Sequence, residues 1–369
     1  MRKHRHKRVI ISGGGTGGHI FPAIAIANAL RKLDPEIKIL FVGAKGRMEM
    51  ERVPAAGYEI VGLDIQGIQR KSILKNLMLP FKLIGSILKS LRIIREFRPN
   101  AAVGVGGYAS GPLLYAASLK GVPYLIQEQN SYAGVTNKRL GKKAKKICVA
   151  YDGMEKFFPA DKIVITGNPI RRESVDIAGK REQGLEWAKL SADKKTIFIT
   201  GGSLGARTLN KSVLANIDKI IAADVQVIWQ TGKHYYPDIM DSFRGKAHPN
   251  IRVMEFVDHM DLAYAAADII ISRAGGTISE LCVVGKPVIL VPSPNVAEDH
   301  QTKNAMALVE IDGAVLVRDE EAKDVLVDEA LKLIFDLQRC ETLSENIAKL
   351  AKPNATEEIV NEIEKLIIA

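Results

Sequence analysis

Several features are scarce in this 369-residue chain, and each scarcity removes a class of protein. Cysteine is nearly missing: Cys148, Cys282 and Cys340 are odd in number, widely spaced and never in a Cys-x-x-Cys pair. That argues against a disulfide framework and a zinc site, and it suits the cytosol. No uninterrupted apolar run reaches the ~18–20 residues that a membrane span needs. The basic opening Met1-Arg-Lys-His-Arg-His-Lys-Arg runs straight into a strand-like segment, without a signal-type apolar stretch, so export is not expected. Aromatic residues make up only 6% of the chain and no recognised nucleic-acid motif occurs. Stacking platforms for bases are therefore few, and no nucleic-acid partner is expected. Low-complexity tracts are also missing.

What is present reads as globular. Hydrophobic residues are 47% and mean hydropathy is +0.02, and the length suggests two domains of ~150–200 residues. The net charge of +10 hides a stronger asymmetry. Residues 1–150 hold 26 Lys/Arg against 8 Asp/Glu, net +18, which leaves the remainder at −8. An anionic partner for the first half follows, and an acidic membrane surface fits it. Segment 68–98 carries eight basic residues and one acid, Glu96, with Pro80 expected to break it into two helical pieces. Around that break crowd Ile73, Leu74, Leu77, Met78, Leu79 and Phe81, while Lys75, Lys82 and Lys89 recur every seven residues. Such a helix could rest on anionic lipid, apolar tip inward and lysines on headgroups. A core helix with a solvated basic face is the alternative. Six further basic residues lie in 138–146.

Strand-like runs at 8–12, 37–43, 58–65, 101–105, 122–128, 145–150 and 162–166 alternate with helical segments at 20–33, 47–56, 73–97, 111–120 and 133–143. The rhythm repeats with strands near 196–200, 225–230, 251–256, 268–272, 287–291 and 313–317. Alternation of this kind predicts parallel sheets covered by helices on both faces, an α/β protein of two Rossmann-like units. Thr166-Gly-Asn-Pro, followed by a poorly patterned polar stretch to Lys195, is the natural boundary.

Glycine loops punctuate the strand ends. Ser12-Gly-Gly-Gly-Thr-Gly-Gly-His19 contains G-x-G-x-x-G spacing, so a dinucleotide site has to be weighed. The second strand ends Phe41-Val-Gly-Ala-Lys45, without the carboxylate that would grip a ribose, which counts against NAD. His19 at the helix start could accept a hydroxyl proton as a neutral imidazole, or it could simply cap the loop. Gly104-Val-Gly-Gly-Tyr-Ala-Ser-Gly111 could surround a diphosphate with backbone N–H groups, or be a tight turn. In Gly201-Gly-Ser-Leu-Gly-Ala-Arg207, Ser203 could donate to a phosphate. Gln127-Glu-Gln-Asn130 places Glu128 and Asn130 at a strand's carboxyl end. There either could meet a sugar or activate a hydroxyl, and capping the next helix is as plausible. Stretch 268–304 reads strand, Arg273-Ala-Gly-Gly turn, helix with Glu280 one turn in, strand, and a second helix with Gln301. A helix start for phosphate, a carboxylate and an amide near strand ends suit a nucleotide sugar. No Asp-x-Asp occurs, so no metal clamp and no cofactor are expected, and helix N-termini would neutralise a leaving diphosphate.

Together these motifs, with Gly14-Gly-Thr-Gly-Gly-His-Ile-Phe-Pro-Ala, Gly106-Gly-Tyr-Ala-Ser-Gly-Pro and Gly167-Asn-Pro-Ile-Arg, resemble the peptidoglycan N-acetylglucosaminyltransferases of glycosyltransferase family 28. They occur in that family's order over nearly the whole chain. The resemblance implies a GT-B fold, two Rossmann-like domains with parallel sheets facing a central cleft. Domains of 1–167 and 168–354 are expected, with the terminal helix 355–369 joining the first, acceptor-binding and membrane-facing one. The implied activity is inverting transfer of GlcNAc from UDP-GlcNAc to the C4 hydroxyl of MurNAc in undecaprenyl-linked lipid I, on the cytoplasmic face of the bacterial membrane. Other cell-wall synthesis proteins become candidate partners.

By the same resemblance, Glu280 would grip the ribose diol, Ser203 the diphosphate, and Arg171 another part of the donor. Uracil would meet backbone near Phe256 and Val257, the turn Ala274, Gly275, Gly276 and Thr277 would cover the α-phosphate, and Gln301 and Asn304 would hold GlcNAc hydroxyls. Thr16, Gly17, Gly18 and Asn130 would complete the donor site. The acceptor diphosphate would lie on Gly14, Gly15, Gly106, Gly107 and Tyr108. His19 leads as general base, with Glu128 second. Between Gly275 and Ile278 only two residues intervene, one fewer than in the family pattern. An epimerase of UDP-GlcNAc and a transferase to diacylglycerol are the competing readings. The first would need no basic apolar surface, and the second would lack the Gly14–Ala23 motif.

Overall fold

The computed structural model describes residues 6–67, 77–202, 204–296 and 299–368. Its organisation follows from strands that are apolar on both faces. Val9, Ile10 and Ile11 of β1 (Arg8–Gly13) are fully buried, which requires helices above and below the sheet. Ile10 packs in one cluster with Leu113, Leu114 and Ile126, while Val9 and Ile11 pack in another with Ile20, Ile26 and Leu30.

Residues Met1–Arg171 and Pro353–Ala369 form one compact unit, and Arg172–Lys352 form the other. The first unit holds a seven-stranded parallel sheet in the order β3-β2-β1-β4-β5-β6-β7, with β2 Lys38–Ala44, β3 Glu59–Leu63, β4 Ala101–Gly106, β5 Tyr124–Glu128, β6 Lys146–Val149 and β7 Ile163–Ile165. The second unit's six-stranded parallel sheet runs β10-β9-β8-β11-β12-β13, from β8 Thr196–Thr200, β9 Gln226–Gln230, β10 Ile251–Met254, β11 Ile269–Ser272, β12 Val288–Leu290 and β13 Val315–Leu316. Strand order reverses between β1 and β4 in one sheet and between β8 and β11 in the other. Ligands of open α/β sheets bind outside the strand carboxyl ends at such switch points. The loops 14–18, 107–109, 201–206 and 273–276 leave the sheets there.

The terminal helix Ala355–Ile368 belongs to the first unit because its Ile359, Val360 and Ile363 complete the cluster under helix Gly17–Leu33. Thr356 also donates to the Ile170 carbonyl at 3.1 Å. The helix that follows Pro80 runs Leu79–Phe97, with the proline in its first turn; the helical piece expected before Pro80 falls largely on residues 68–76, outside the described residues. Proline suits that place, since its fixed φ favours the first turn and its missing N–H would have no helical partner there. Ile73, Leu74 and Lys75 lie outside the described residues, as does Ser203.

Candidate active site

In the first unit, the β1 and β4 loops interlock through glycines. Gly14 N–H donates to the Gly106 carbonyl at 3.3 Å. Gly107 sits at φ +88°, and a Cβ on it would lie 2.5 Å from the Gly14 carbonyl oxygen. Gly106 (φ +113°) approaches the His19 ring so closely that a Cβ would fall 2.5 Å from Nδ1. Only glycine tolerates both the positive φ and the contact. Helix Gly17–Leu33 begins under this arch, with Thr16 at its N-cap in extended conformation and accepting from His19 and Ile20 through its carbonyl. Thr16 and Gly18 are exposed and His19 is half-buried. The first N–H groups of an α-helix have no intrahelical acceptor, so Thr16, Gly17 and Gly18 present the anion-favouring end of the dipole.

Glu49, at the start of helix Glu49–Ala55, lies beneath this loop and is 1% exposed. Its carboxylate accepts from Gly15 N–H at 2.8 Å and from Ala44 N–H at 3.0 Å. Gly14 and Gly15 therefore direct their N–H groups to acceptors within the unit. Nothing in the sequence marked Glu49, which stands 34 positions from Gly15. Tyr108 is exposed, its ring lying against Gly67 and 5.9 Å from the Arg47 guanidinium carbon.

At the end of β5, alternating side chains take different tasks. Gln127 donates to Asn168 Oδ1 at 2.8 Å, and Asn168 donates to the Gln129 carbonyl at 3.1 Å. Gln129 Oε1 meets His19 Nδ1 at 2.9 Å. Glu128 is 4% exposed and accepts from Asn130 N–H (3.2 Å), Asn130 Nδ2 (3.5 Å), Gly134 N–H (3.1 Å) and Asn137 Nδ2 (2.8 Å). A carboxylate so engaged ties the loop 130–134 to the end of β5 at the start of helix Val135–Gly141. Arg171 belongs to this unit, not to the second, with its guanidinium 5.2 Å from the Phe21 ring centre and its buried Nε without an acceptor among the described residues.

In the second unit, Arg273 anchors the turn after β11. Its Nη1 donates to the Val291 carbonyl at 2.9 Å and pairs with Asp319 at 2.5 Å. Ala274 is buried, Gly276 is exposed, and helix Thr277–Val284 opens just beyond, closed by Gly285 at φ +65°. Glu280 is half-buried and accepts from the Tyr264 hydroxyl at 3.1 Å. Gln301, in helix His300–Val309, accepts from Ser293 N–H at 2.8 Å, and its Nε2 lies near the Gly275 turn. Asn304 is 1% exposed and donates to the Ala274 carbonyl at 3.3 Å. That bond ties helix His300–Val309 to the turn after β11. Val257 N–H donates to Gln230 Oε1 at 2.9 Å, so a base meeting this backbone would use the carbonyl or displace that bond. Phe256, beside it, is 36% exposed.

Two parallel sheets, each with glycine turns and a helix start at its switch point, are the two Rossmann-like units from which a GT-B glycosyltransferase is built. The Glycosyltransferase family 28 N-terminal domain matches residues 9–149 and the family 28 C-terminal domain matches 196–359. Along 100% of this chain and 99% of the relative, it is 58% identical to the UDP-N-acetylglucosamine–N-acetylmuramyl-(pentapeptide) pyrophosphoryl-undecaprenol N-acetylglucosamine transferase of Parabacteroides distasonis. The crystal structure of Acinetobacter baumannii MurG superposes with a TM-score of 0.76 at 29% identity, covering 97% of this chain and 99% of that one. A UDP-GlcNAc 2-epimerase from Neisseria meningitidis, solved with UDP-GlcNAc bound, shares the fold at 17% identity and a TM-score of 0.66, covering 97% of this chain and 100% of that one. The chain belongs to glycosyltransferase family 28.

Proposed function

We infer that this protein transfers GlcNAc from UDP-GlcNAc to the C4 hydroxyl of MurNAc in undecaprenyl-diphosphoryl-MurNAc-pentapeptide, converting lipid I to lipid II with inversion at the sugar carbon. The observation that carries the reading is the end-to-end likeness, at 58% identity, to a transferase of that name. The geometry at both switch points is compatible with it. His19 accepts the proton of the attacking hydroxyl, whose oxygen bonds to C1 of GlcNAc as the C1–O bond to UDP breaks on the opposite face. Charge on the departing diphosphate is the larger demand, and preorganised N–H donors at a helix start answer it. Thr277 begins the helix assigned to that task, Glu280 meets the ribose diol, Gln301 the sugar, and Arg171 and Ser203 further donor oxygens.

The test follows UDP release from UDP-GlcNAc by purified protein in EDTA, with and without a short-chain lipid I analogue. Release that requires the analogue and survives EDTA is expected. Release without acceptor would favour epimerase chemistry, and no release in either case would point to another lipid acceptor.

A finer reading places the first unit on an anionic membrane surface. Leu77, Phe81, Ile84 and Leu88 fall on one face at helical spacing, and all are well exposed, Leu77 at 71% and Phe81 at 68%. The opposite face turns Ser86 and Ser90 inward, so large apolar side chains point outward where a water-facing helix would place polar ones. Lys82 pairs with Asp64 at 3.1 Å and Lys89 donates to the Gly62 carbonyl at 2.7 Å. Those two lysines are thus partly committed to the protein. Arg139, Lys142, Lys143 and Lys145 remain exposed to supply charge. Among the described residues no helix is long and apolar enough to cross a membrane. Burial of one large apolar side chain is worth about 1.5–3 kcal/mol. Phe81→Asp with Leu88→Asp should therefore cut sedimentation with phosphatidylglycerol vesicles ~100-fold or more, while turnover of a water-soluble acceptor analogue persists. Unchanged sedimentation would sink the lipid assignment.

A further inference from the structure

We infer that Gln129 is the positioning residue that fixes which ring nitrogen of His19 carries the proton. Gln129 is 5% exposed, and its two amide ends face different partners. Its Nε2 donates to the Val105 carbonyl at 3.2 Å. A carbonyl only accepts, so the amide cannot turn over without setting oxygen against oxygen. Oε1 is thereby directed at His19 Nδ1, 2.9 Å away. An amide oxygen also only accepts, so in the neutral ring Nδ1 carries the hydrogen and the lone pair resides on Nε2.

The surroundings hold the pair in place. Gly106 presses on the ring at Nδ1, and the Gln129 backbone carbonyl accepts from Asn168, which in turn accepts from Gln127; all three of these polar side chains are buried. Strand β4, through Val105, and the end of β5 therefore set the tautomer of a residue on the helix that follows β1. An amide does this without adding a charge, whereas a carboxylate in its place would favour the protonated ring, which cannot accept a proton. The catalytic consequence rests on the proposed role of His19 as base; the tautomer assignment does not.

The experiment uses full-length protein labelled with 15N-histidine, with His19 assigned by its loss in His19→Gln. Long-range 1H–15N spectra above the ring's titration should show His19 as the Nδ1–H form. In Gln129→Met, similar in size but unable to accept this hydrogen bond, the Nε2–H form should appear. In that variant kcat should fall ~10–100-fold, as for loss of an orienting partner, while KM for UDP-GlcNAc stays within about twofold. An Nε2–H ring in the unsubstituted protein would overturn the inference whatever the variant does, as would a Gln129→Met ring that stays Nδ1–H. A shifted tautomer with unchanged kcat, or an active His19→Gln, would instead remove His19 as base and leave the Gln129 assignment standing.

Discussion

Removing the carboxylate of Glu49 should loosen the first glycine loop more than any substitution within the loop's exposed part. In Glu49→Ala, Gly15 N–H and Ala44 N–H both lose an acceptor, at sites now 2.8 and 3.0 Å from the carboxylate oxygens. Hydrogen bonds to a charged group contribute about 1.5–3 kcal/mol each, and a buried donor left unpaired costs about 1–3 kcal/mol. Removing a buried charge returns part of this, because its desolvation no longer opposes folding. The side chain also fills the space against Gly14 and Gly43, where a Cβ on either glycine would lie within 2.6 Å of a Glu49 atom. A net loss of about 2–4 kcal/mol follows for Ala. Glu49→Gln keeps the volume but offers one oxygen for two donors, so about 1–3 kcal/mol is expected.

Two readouts check this. Urea unfolding should show the first unit's transition moved to lower denaturant, in the order Ala, Gln, unsubstituted protein. Hydrogen exchange by mass spectrometry should show faster exchange in peptides covering residues 12–18 and 42–46, with second-unit peptides unaffected. Stability within about 0.5 kcal/mol of the unsubstituted protein for Glu49→Ala would refute the reasoning, because surface substitutions away from such features reach no more than that.

Other expectations follow from the same geometry. His19→Ala should lower turnover ~10²–10⁴-fold with UDP-GlcNAc binding by calorimetry nearly unchanged; unchanged turnover would remove it as base. Glu280→Ala should weaken UDP binding ~10-fold or more, since a charge-assisted bond to a ribose hydroxyl is worth about 1.5–3 kcal/mol, and normal affinity would end its ribose role. Lys286 donates to the Ala265 and Ala267 carbonyls, and burial, then the nearby Arg181 charge, pushes its ammonium down to about 8 from 10.5. The unfolded chain therefore binds more protons between about pH 8 and 10.5, so this lysine's contribution to stability rises with pH through that window. Between pH 7 and pH 9.5 the denaturation midpoint of the unsubstituted protein should rise relative to that of Lys286→Met. A pH-independent gap would contradict the shift.

Most of the fold was legible because its strands are apolar on both faces and its punctuation is glycine. Each glycine loop read from the sequence leaves a switch point, since a tight exit from a buried strand requires a residue without a side chain. The placement of Glu280 one turn into a helix was legible from the turn before it. The supporting partners were not. Glu49, Gln230 and Tyr264 act across 34, 27 and 16 positions, and no local pattern distinguishes them from ordinary polar or aromatic residues. The acceptors beneath Gly14 and Gly15 were not legible either, because sequence displays donors without displaying what lies underneath. Leu79 and Lys82 were placed on the membrane-facing side by composition. Helical phase instead turns Leu79 partly inward and ties Lys82 to Asp64.

The division of labour at residues 127–130 carries the chemical argument furthest. A carboxylate and three amides stand next to one another in sequence, and from residue type alone Glu128 is the strongest base of the four. The strand's alternation sends it to the opposite side from Gln127 and Gln129. There, two backbone N–H groups and two side-chain amides donate to its oxygens. A proton placed on Glu128 would compete with the four donors that already use its oxygens. His19 can take up a proton without dismantling its support, because its Nδ1–H bond to Gln129 persists in both charge states of the ring. A base has to change charge within each turnover while its surroundings stay still, which is the physical ground for proposing the histidine ahead of the carboxylate.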